Sequence, residues 1–412
     1  MASDPNLPDG GGAGERVITP KETTPQPPPT QLALPPSRFL QTFLVMAMII
    51  SVAAFVSDRW GAAPLNEKEA SHAIQVNLRS QRQFSSLTHA LQGDEAFGKK
   101  NYIQAVAEYR LALQETNQPA LHEKLGRALL AEGNPDAGFA QFKEALQGDP
   151  SRLEVYTAWG QGLISLGKPD EAARLYQDAL KSNPSAGLLH YALAAALRDQ
   201  QKSAEALRHA ALASGNTNQA QAASEQIAGL AQESLQEFAL ARQMGVDLPD
   251  FWCGYGQLLV EQGKYPEGEA SLSRAVGRDP SLAAAYSALA LAEFHQGKYA
   301  EAIGHYESVL ALVHDDPDTL NSLANLYVAA TNTDFFSPRM AVQLATRACD
   351  ATIKQNARYM DTLARSYAAA GDFLAAISWE DQAAHRATQL GDRALAAEYE
   401  ARYGLLIDHR TE

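Results

Sequence analysis

The chain has 412 residues, 46% of them hydrophobic, which is enough for two or three ordinary domains or for one long repeat array with a substantial core. Its net charge of -14 argues against nucleic acid as a main partner, because phosphate binding requires a basic stripe. The two cysteines, Cys253 and Cys349, form neither a CxxC pair nor a zinc pattern. Frequent alanine, leucine, glutamine and glutamate favour helix.

The first 38 residues are rich in proline, glycine, threonine and aspartate. Such a segment has too few apolar side chains to offset the entropy of ordering, so residues 1–38 are predicted to be a disordered Pro-rich tail. The clustered prolines leave one alternative open, a polyproline II ligand for a small domain.

Residues 39–56 form an apolar stretch, FLQTFLVMAMIISVAAFV, without a charged residue. At about 1.5 Å per residue a helix of this length crosses the hydrocarbon core of a bilayer. We interpret it as an uncleaved signal anchor, because the polar region before it is too long for a signal peptide. The flanking Lys and Arg residues slightly favour a cytoplasmic tail, which places the rest of the chain outside the cytoplasm.

A linker is predicted over residues 57–85. Within it, residues 66–83 have a helical pattern, and Asn66 and Glu69 have the spacing of a capping box. This stalk helix would lead into the region that begins at residue 86.

From residue 86 onwards the sequence repeats with a period of 34 residues. Gly263-Lys-Tyr returns as Gly297-Lys-Tyr, and Gly133 returns as Gly167. A period of this length predicts paired helices, each pair too small to bury its apolar face alone. Glycine at the turn permits a left-handed backbone, and proline after the second helix ends it.

Small and large residues recur in register with this period. Small residues are expected where the two helices of a pair touch, namely Gly126, Gly160, Ala194, Gly256, Ala290, Ala324 and Ala364 in first helices and Ala172, Ala206, Ala302, Ala341 and Ala376 in second helices. Large residues are expected between neighbouring pairs, namely Leu125, Trp159, Leu193, Leu289, Leu323, Leu363, Phe142, Tyr176, Phe238, Leu272 and Tyr306.

This pattern resembles the tetratricopeptide repeat (TPR), with its motif W-x2-L-G-x2-Y, then A-x3-F-x2-A and a closing proline. The resemblance implies an all-α, right-handed α-solenoid of about nine helix-turn-helix units over residues 86–390, preceded by the tail and one transmembrane helix. The units are expected at 86–118, 119–152, 153–186, 187–214, 215–248, 249–282, 283–316, 317–356 and 357–390.

Three of the predicted units depart from this pattern, and one further helix is predicted after the last unit. The fourth unit is short, the fifth has Ser234 in place of alanine, and the eighth has extra residues at 333–338. Phe335 and Phe336 in that insertion either pack against the turn or form a contact patch. Residues 391–412 are expected to form a capping helix that covers the last repeat. Its apolar face would carry Leu395, Tyr399, Tyr403 and Leu406.

No motif of catalysis or metal binding stands out. Residues 162–168 match the GxxxxGK phosphate loop, but Pro169 stands where Ser or Thr should bind magnesium. The acidic run at residues 314–318 lacks the glycine and closing glutamate of a calcium loop and is more typical of a helix cap. We therefore expect no enzyme activity, no cofactor and no metal.

In TPR proteins the first helices line the concave face, where ligands often bind, and the resemblance implies the same here. The positions expected to face it are Glu123/Arg127, Thr157/Gln161, Tyr191/Ala195, Gln219/Ala223, Cys253/Gln257, Ser287/Leu291, Asn321/Asn325 and Asp361/Arg365. The predicted protein-binding residues are Arg127, Gln161, Tyr191, Gln257, Asn321, Asn325, Asp361 and Arg365. The alternative for the amides is that they are solvated polar residues. The Lys/Asn/Lys/Arg set of chaperone-type TPR clamps is missing, so chaperone tails are not expected to bind.

The resemblance implies a bacterial, membrane-anchored scaffold or adaptor. It would lie in the inner membrane with its repeats in the periplasm, bind a protein or peptide, and serve in the assembly of an envelope complex. The alternative is an accessory structural subunit of a membrane enzyme or electron-transfer complex. Neither nucleic acid nor a small-molecule substrate is expected.

Overall fold

The computed structural model describes residues 67–331 and 333–411, and these residues form α-helices with no β-strand among them. The helices are α1 (Glu67–Gly98), α2 (Tyr102–Glu115), α3 (Pro119–Glu132), α4 (Pro135–Gly148), α5 (Leu153–Ser165), α6 (Pro169–Ser182), α7 (Gly187–Ala213), α8 (Thr217–Gln243), α9 (Pro249–Glu261), α10 (Tyr265–Arg278), α11 (Ala283–His295), α12 (Tyr299–Leu312), α13 (Pro317–Ala329), α14 (Pro338–Ala351), α15 (Ala357–Ala369), α16 (Phe373–Gln389) and α17 (Arg393–Thr411). The predicted all-α class is confirmed for this part of the chain.

The predicted tail at residues 1–38 and the predicted span at residues 39–56 lie outside the described residues. Within the described part, no helix is both long enough and apolar enough to cross a bilayer. The chain divides into two units, Met1–Asn77 and Leu78–Glu412, and the start of α1 is all that the structure describes of the first.

Consecutive helices of the second unit pack as hairpins, from α3 with α4 to α15 with α16. Glycine makes the turn in most of them, because a left-handed backbone lets the chain reverse directly after a helix. Gly133, Gly167, Gly263, Gly297 and Gly371 have φ values between 72° and 94°. The predicted turn positions are thus confirmed.

Small residues lie where the two helices of a hairpin touch, as predicted. A Cβ atom at Gly126 of α3 would lie 2.7 Å from Cε1 of Phe142 and 3.0 Å from the carbonyl oxygen of Gly138, both on α4. The large residues predicted in second helices are buried, namely Phe142, Tyr176, Phe238, Leu272 and Tyr306. Stacked hairpins therefore share their apolar interior.

The predicted fourth and fifth units are wrong, because α7 and α8 together form one long hairpin. Each has 27 residues, against 13 or 14 in the helices of the regular hairpins α3–α4 and α5–α6. The period puts the turn glycine at position 201, where the chain has glutamine, and the turn comes instead at Gly215, with φ +74°. Ala206, predicted in a second helix, lies exposed on α7. The described residues hold eight hairpins and the single helix α17, so the expected nine units are one too many.

Ser234 takes the place of the expected alanine on α8. It is fully buried, and its hydroxyl donates a hydrogen bond to the carbonyl oxygen of Ala194 on α7 at 2.9 Å. The hydroxyl thus has a partner at the contact of the two helices, which is why a polar residue is tolerated there.

The two ends of the predicted repeat region also differ in detail. The boundary drawn at residue 86 falls inside α1, which runs from Glu67 to Gly98 without a break. The predicted terminal helix is present as α17, with Tyr399 buried and Leu395 half-buried against the core. In the insertion before α14, Phe335 packs near Tyr299, with ring centroids 6.3 Å apart, whereas Phe336 is exposed.

Candidate functional site

The first helices of three neighbouring hairpins, α9, α11 and α13, border a hollow of about 410 Å³. We call it the first-helix groove, and its lining residues are Arg198, Gln257, Val260, Glu261, Ala284, Ser287, Ala288, Leu291, Tyr306 and Ser322. The side chains that α11 contributes are small except for Leu291, of whose surface 40% is exposed. Small residues leave space beside the helix, and Leu291 offers an apolar contact in that space.

Arg198, from the middle of α7, forms one margin of this groove. It donates a hydrogen bond to the carbonyl oxygen of Gly254 at 2.6 Å and another to the Glu261 carboxylate at 2.7 Å. Its charge is therefore already neutralised, and a ligand in the groove meets amide, hydroxyl and apolar groups. The sequence did not predict Arg198 as a groove residue. It lies one helical turn after the predicted contact residue Ala194, but the 34-residue period does not show that α7 is a long helix.

Among the predicted binding residues, Gln257 lines the first-helix groove, as do Ser287 and Leu291 from the predicted concave positions. Tyr191 is half-buried in the core, with its ring centroid 5.7 Å from that of Phe251, and burial raises its pKa to about 12. Its structural role is therefore packing.

Arg127 and Gln161 lie on α3 and α5, away from the lining of this groove. Gln161 is exposed. Arg127 donates a hydrogen bond to the Glu123 carboxylate at 3.2 Å, and the same carboxylate accepts one from Arg152 at 2.7 Å. Arg127 is therefore held in an ion-pair network that joins neighbouring hairpins.

The remaining predicted residues lie on α13 and α15, where some of them contact one another. Arg365 donates a hydrogen bond to the side-chain oxygen of Asn325 at 3.0 Å, and the Asn325 amide donates one to Thr362 at 3.3 Å. The side-chain oxygen of Asn321 is buried without a hydrogen-bond partner among the described residues. The amides predicted to bind a peptide backbone are thus partly engaged within the protein.

Gln219 and Ala223, expected on a first helix, lie instead on α8, the second helix of the long hairpin. This is the same error that divided the hairpin into two units. Neither residue borders the first-helix groove.

Asp361 belongs to a partly buried ionic cluster that holds α17. Arg402 of α17 donates a hydrogen bond to Asp361 at 2.6 Å and to Glu398 at 2.5 Å, and its Nε lies 3.6 Å from the Glu380 carboxylate. Glu380 is fully buried, and neither of its oxygens has a hydrogen-bond partner among the described residues. Burial and the nearby Asp361 raise the pKa of Glu380 to about 8, and burial also raises that of Asp361. The cluster therefore serves the docking of α17.

The described residues contain no group of three or more His, Cys, Asp or Glu side chains arranged to hold a metal ion. Cys253 and Cys349 are buried free thiols, and burial raises the pKa of each to about 11, so both are protonated at neutral pH. The groups that line the first-helix groove can form hydrogen bonds and apolar contacts with a ligand.

Helical hairpins stacked in sequence, with glycine turns and a shared interior, define an α-helical repeat protein. The chain contains tetratricopeptide repeats: the family model described as "Tetratricopeptide repeat" matches residues 157–220 and 255–317. Residues 221–254, which fall between the two matches, include most of α8, the second helix of the long hairpin.

Solved structures to which parts of this chain are similar include the following three. PilW, a type IV pilus biogenesis factor, is 18% identical, with 55% of this chain and 90% of PilW covered and a TM-score of 0.42. PilF of Pseudomonas aeruginosa is 20% identical, with 60% and 96% covered and a TM-score of 0.41. A thermophilic TPR protein of Thermus thermophilus is 21% identical, with 50% and 98% covered and a TM-score of 0.37. No curated protein matches the chain significantly. These similarities are too weak to transfer a function.

Proposed function

We propose that this protein is a membrane-anchored, non-enzymatic scaffold whose first-helix groove holds an extended segment of a partner protein during assembly of an envelope complex. The observation that carries the proposal is the groove itself. Its volume of about 410 Å³ lies in the range of ligand-binding clefts, and it is bordered by three successive hairpins of a stiff array.

The composition of the groove supports a peptide as the ligand. Gln257, Ser287 and Ser322 supply groups that donate and accept hydrogen bonds, as an extended backbone requires. Leu291 and Val260 supply apolar contact for a side chain of that peptide. The ion pair of Arg198 and Glu261 borders one side of the groove, and the two charges neutralise each other there.

Anchoring and location rest on the sequence alone. The apolar stretch at residues 39–56 supports a single span of the inner membrane, and the flanking charges support repeats in the periplasm. Protease treatment of intact spheroplasts tests this arrangement: the repeats should be digested, and a protected repeat region would reverse the orientation.

Site-specific photocrosslinking tests the groove in native membranes. A photoreactive amino acid at position 287 should capture a defined partner, and the same probe at the exposed position 110 of α2 should not. Adding Ala284→Arg, which fills the groove, should abolish capture at position 287 while leaving the fold intact by circular dichroism. Equal capture at both positions, or capture that survives Ala284→Arg, would refute the groove as the binding site.

A further inference from the structure

A second groove lies where the tip of the long hairpin meets the last repeats. A hollow of about 730 Å³ is lined by His209, Ala210, Ala213, Thr352, Gln355, Asn356, Ala357, Arg358, Ala387, Leu390, Asp392 and Leu395. A second hollow of about 370 Å³ shares Gln355 with it and is lined also by Lys354, Met360, Gln382, His385, Arg386 and Gln389. We call the two together the arm-tip groove. It exists because α7 is long enough to contact α17.

Three cations border the arm-tip groove without a carboxylate partner among the described residues. The Lys354 ammonium lies 5.3 Å from the centre of the Trp379 ring. The Arg386 guanidinium donates hydrogen bonds to the carbonyl oxygen of Gln355 at 3.1 Å and to the Gln389 side chain at 3.1 Å. The guanidinium of Arg358, which is exposed, has no hydrogen-bond partner in the described part of the chain. Their positive charges are therefore available to a ligand.

Asp392 is the one carboxylate among the lining residues given above, and it has another role. Its Oδ1 accepts a hydrogen bond from the backbone N–H of Leu395 at 3.1 Å, so it caps the start of α17. The helix dipole stabilises an acidic residue at the start of a helix. Because Asp392 has this role, it leaves the three cations without a carboxylate partner.

The cations near Trp252, in contrast, have a carboxylate partner. Near Trp252, the Asp247 carboxylate pairs with both Arg278 and Arg274 and accepts a hydrogen bond from the Trp252 ring N–H at 2.7 Å. These contacts hold the pKa of Asp247 below its usual value. The three cations of the arm-tip groove have no such partner among the described residues, although the chain carries a net charge of -14.

Apolar groups line the same groove beside the cations. Leu390 is 58% exposed, and Leu395, Ala210 and Ala213 provide further apolar surface. A polyphosphate backbone would match only the cations and would need a longer basic stripe. A short peptide with carboxylates next to apolar side chains matches both features.

We propose that the arm-tip groove binds an acidic segment of a partner protein, with carboxylates at Lys354, Arg358 and Arg386 and an apolar side chain against Leu390. This site is separate from the first-helix groove and does not depend on it. Electrostatic complementarity of this kind mainly sets the on-rate and the specificity of binding, so the interaction should weaken strongly with salt.

Fluorescence anisotropy with the full-length protein in mild detergent tests the proposal. The probe is a short fluorescein-labelled peptide of alternating glutamate and leucine, and the control peptide has glutamine in place of glutamate. The glutamate peptide should bind at least about tenfold more tightly at low salt, since each accessible ion pair contributes up to about fivefold.

The variants locate the binding site. Arg358→Gln should weaken binding about threefold, and the combination of Lys354→Gln, Arg358→Gln and Arg386→Gln at least about tenfold. The matched control, Arg110→Gln with Arg174→Gln, removes exposed arginines far from the groove and should leave affinity unchanged. Arg358→Gln removes no hydrogen bond to a described residue, so it tests the site even if loss of Arg386 lowers the melting temperature.

Four results would overturn the proposal. The two peptides could bind equally, the control variants could weaken binding as much as the groove variants, or Arg358→Gln could leave affinity unchanged. A single-stranded oligonucleotide that displaces the peptide at lower concentration than unlabelled peptide does would point to nucleic acid and would also refute it.

Discussion

The hairpins α3–α4 and α7–α8 are built on the same plan with different lengths, and the difference shows which residues define a repeat. In α3–α4 two glycines bring the backbones together: a Cβ at Gly126 would lie 3.0 Å from the Gly138 carbonyl oxygen. In α7–α8 the corresponding contact is the hydrogen bond from Ser234 to Ala194. Both contacts are tight, so helix contact alone does not fix hairpin length.

Turn chemistry accounts for the difference in length. The regular hairpin reverses at Gly133, which has φ +94°, whereas α7 continues through Gln201, the residue at the position given by the period. Residues 199–213 contain no glycine or proline, so nothing interrupts the helix until Gly215. The additional turns then carry the tip to α17, where they form the arm-tip groove.

The largest expected effect comes from the apolar junction that holds the long hairpin on α9. Phe238 is 1% exposed, and its ring centroid lies 5.8 Å from that of Phe251 and 5.7 Å from that of Tyr255. Phe238→Ala should lower the free energy of unfolding by about 3–5 kcal/mol. Urea denaturation followed by circular dichroism measures it, with the exposed Phe336→Ala as a control that should change little. Equal effects of both variants would mean that this junction does not hold the hairpin.

A pH dependence is expected from Glu380, which supports α17 and hence the far side of the arm-tip groove. Its pKa is raised from 4.5 to about 8, so its contribution to stability is complete below pH 4.5 and is lost as the pH rises through about 8. The charged groups around it are Asp361, Arg402, Arg365 and Glu398.

We expect the melting temperature to fall between pH 6 and pH 9. The corresponding loss in the free energy of unfolding is on the order of 2 kcal/mol. Glu380→Gln, which stays neutral, should flatten that fall. An unchanged pH profile in Glu380→Gln would show that another group is responsible.

Next in size is Gly126→Ala in the regular hairpin. The added methyl group would meet the buried Phe142 ring at 2.7 Å and a backbone carbonyl oxygen at 3.0 Å. We expect a loss of about 1–3 kcal/mol in the free energy of unfolding. Thermal melting measures it, and a variant as stable as the parent would show that α3 and α4 can separate without cost.

The smallest expected effect has the opposite sign and lies in the long hairpin. Gly229 is in the interior of α8, 34 residues before the turn glycine Gly263, and a Cβ there would meet no atom within 4 Å. Gly229→Ala should therefore stabilise the protein by about 0.5–1 kcal/mol. Loss of stability in the same melting experiment would indicate that α8 bends at this glycine.

Much of the fold could be predicted because small residues recur with the 34-residue period of the helical hairpins. Turn glycines such as Gly167 and contact residues such as Gly160 have few alternative roles, so their spacing identifies the hairpin directly. The prediction failed where those residues were missing. From position 199 to position 230 the sequence consists mainly of good helix formers, which are equally compatible with a short helix followed by a turn and with a long helix.

The candidate sites were less predictable. Gln257, Ser287 and Leu291 could be assigned to the first-helix groove because their place on a first helix follows from the period. Arg198 could not, and neither could the binding of Arg365 to Asn325, 40 residues earlier in the chain. Whether a polar side chain is free for a ligand depends on neighbours that are close in space but distant in sequence.

By itself, the sequence determined that this protein is a helical repeat array, because a repeated turn glycine and a repeated small contact residue each permit few backbone arrangements. Only the tertiary structure decided that two predicted units are one hairpin, that its tip meets α17, and that Lys354, Arg358 and Arg386 border one groove without acidic partners. The physical reason is that local spacing fixes how a helix starts and stops, whereas charge pairing depends on helices that the fold brings together.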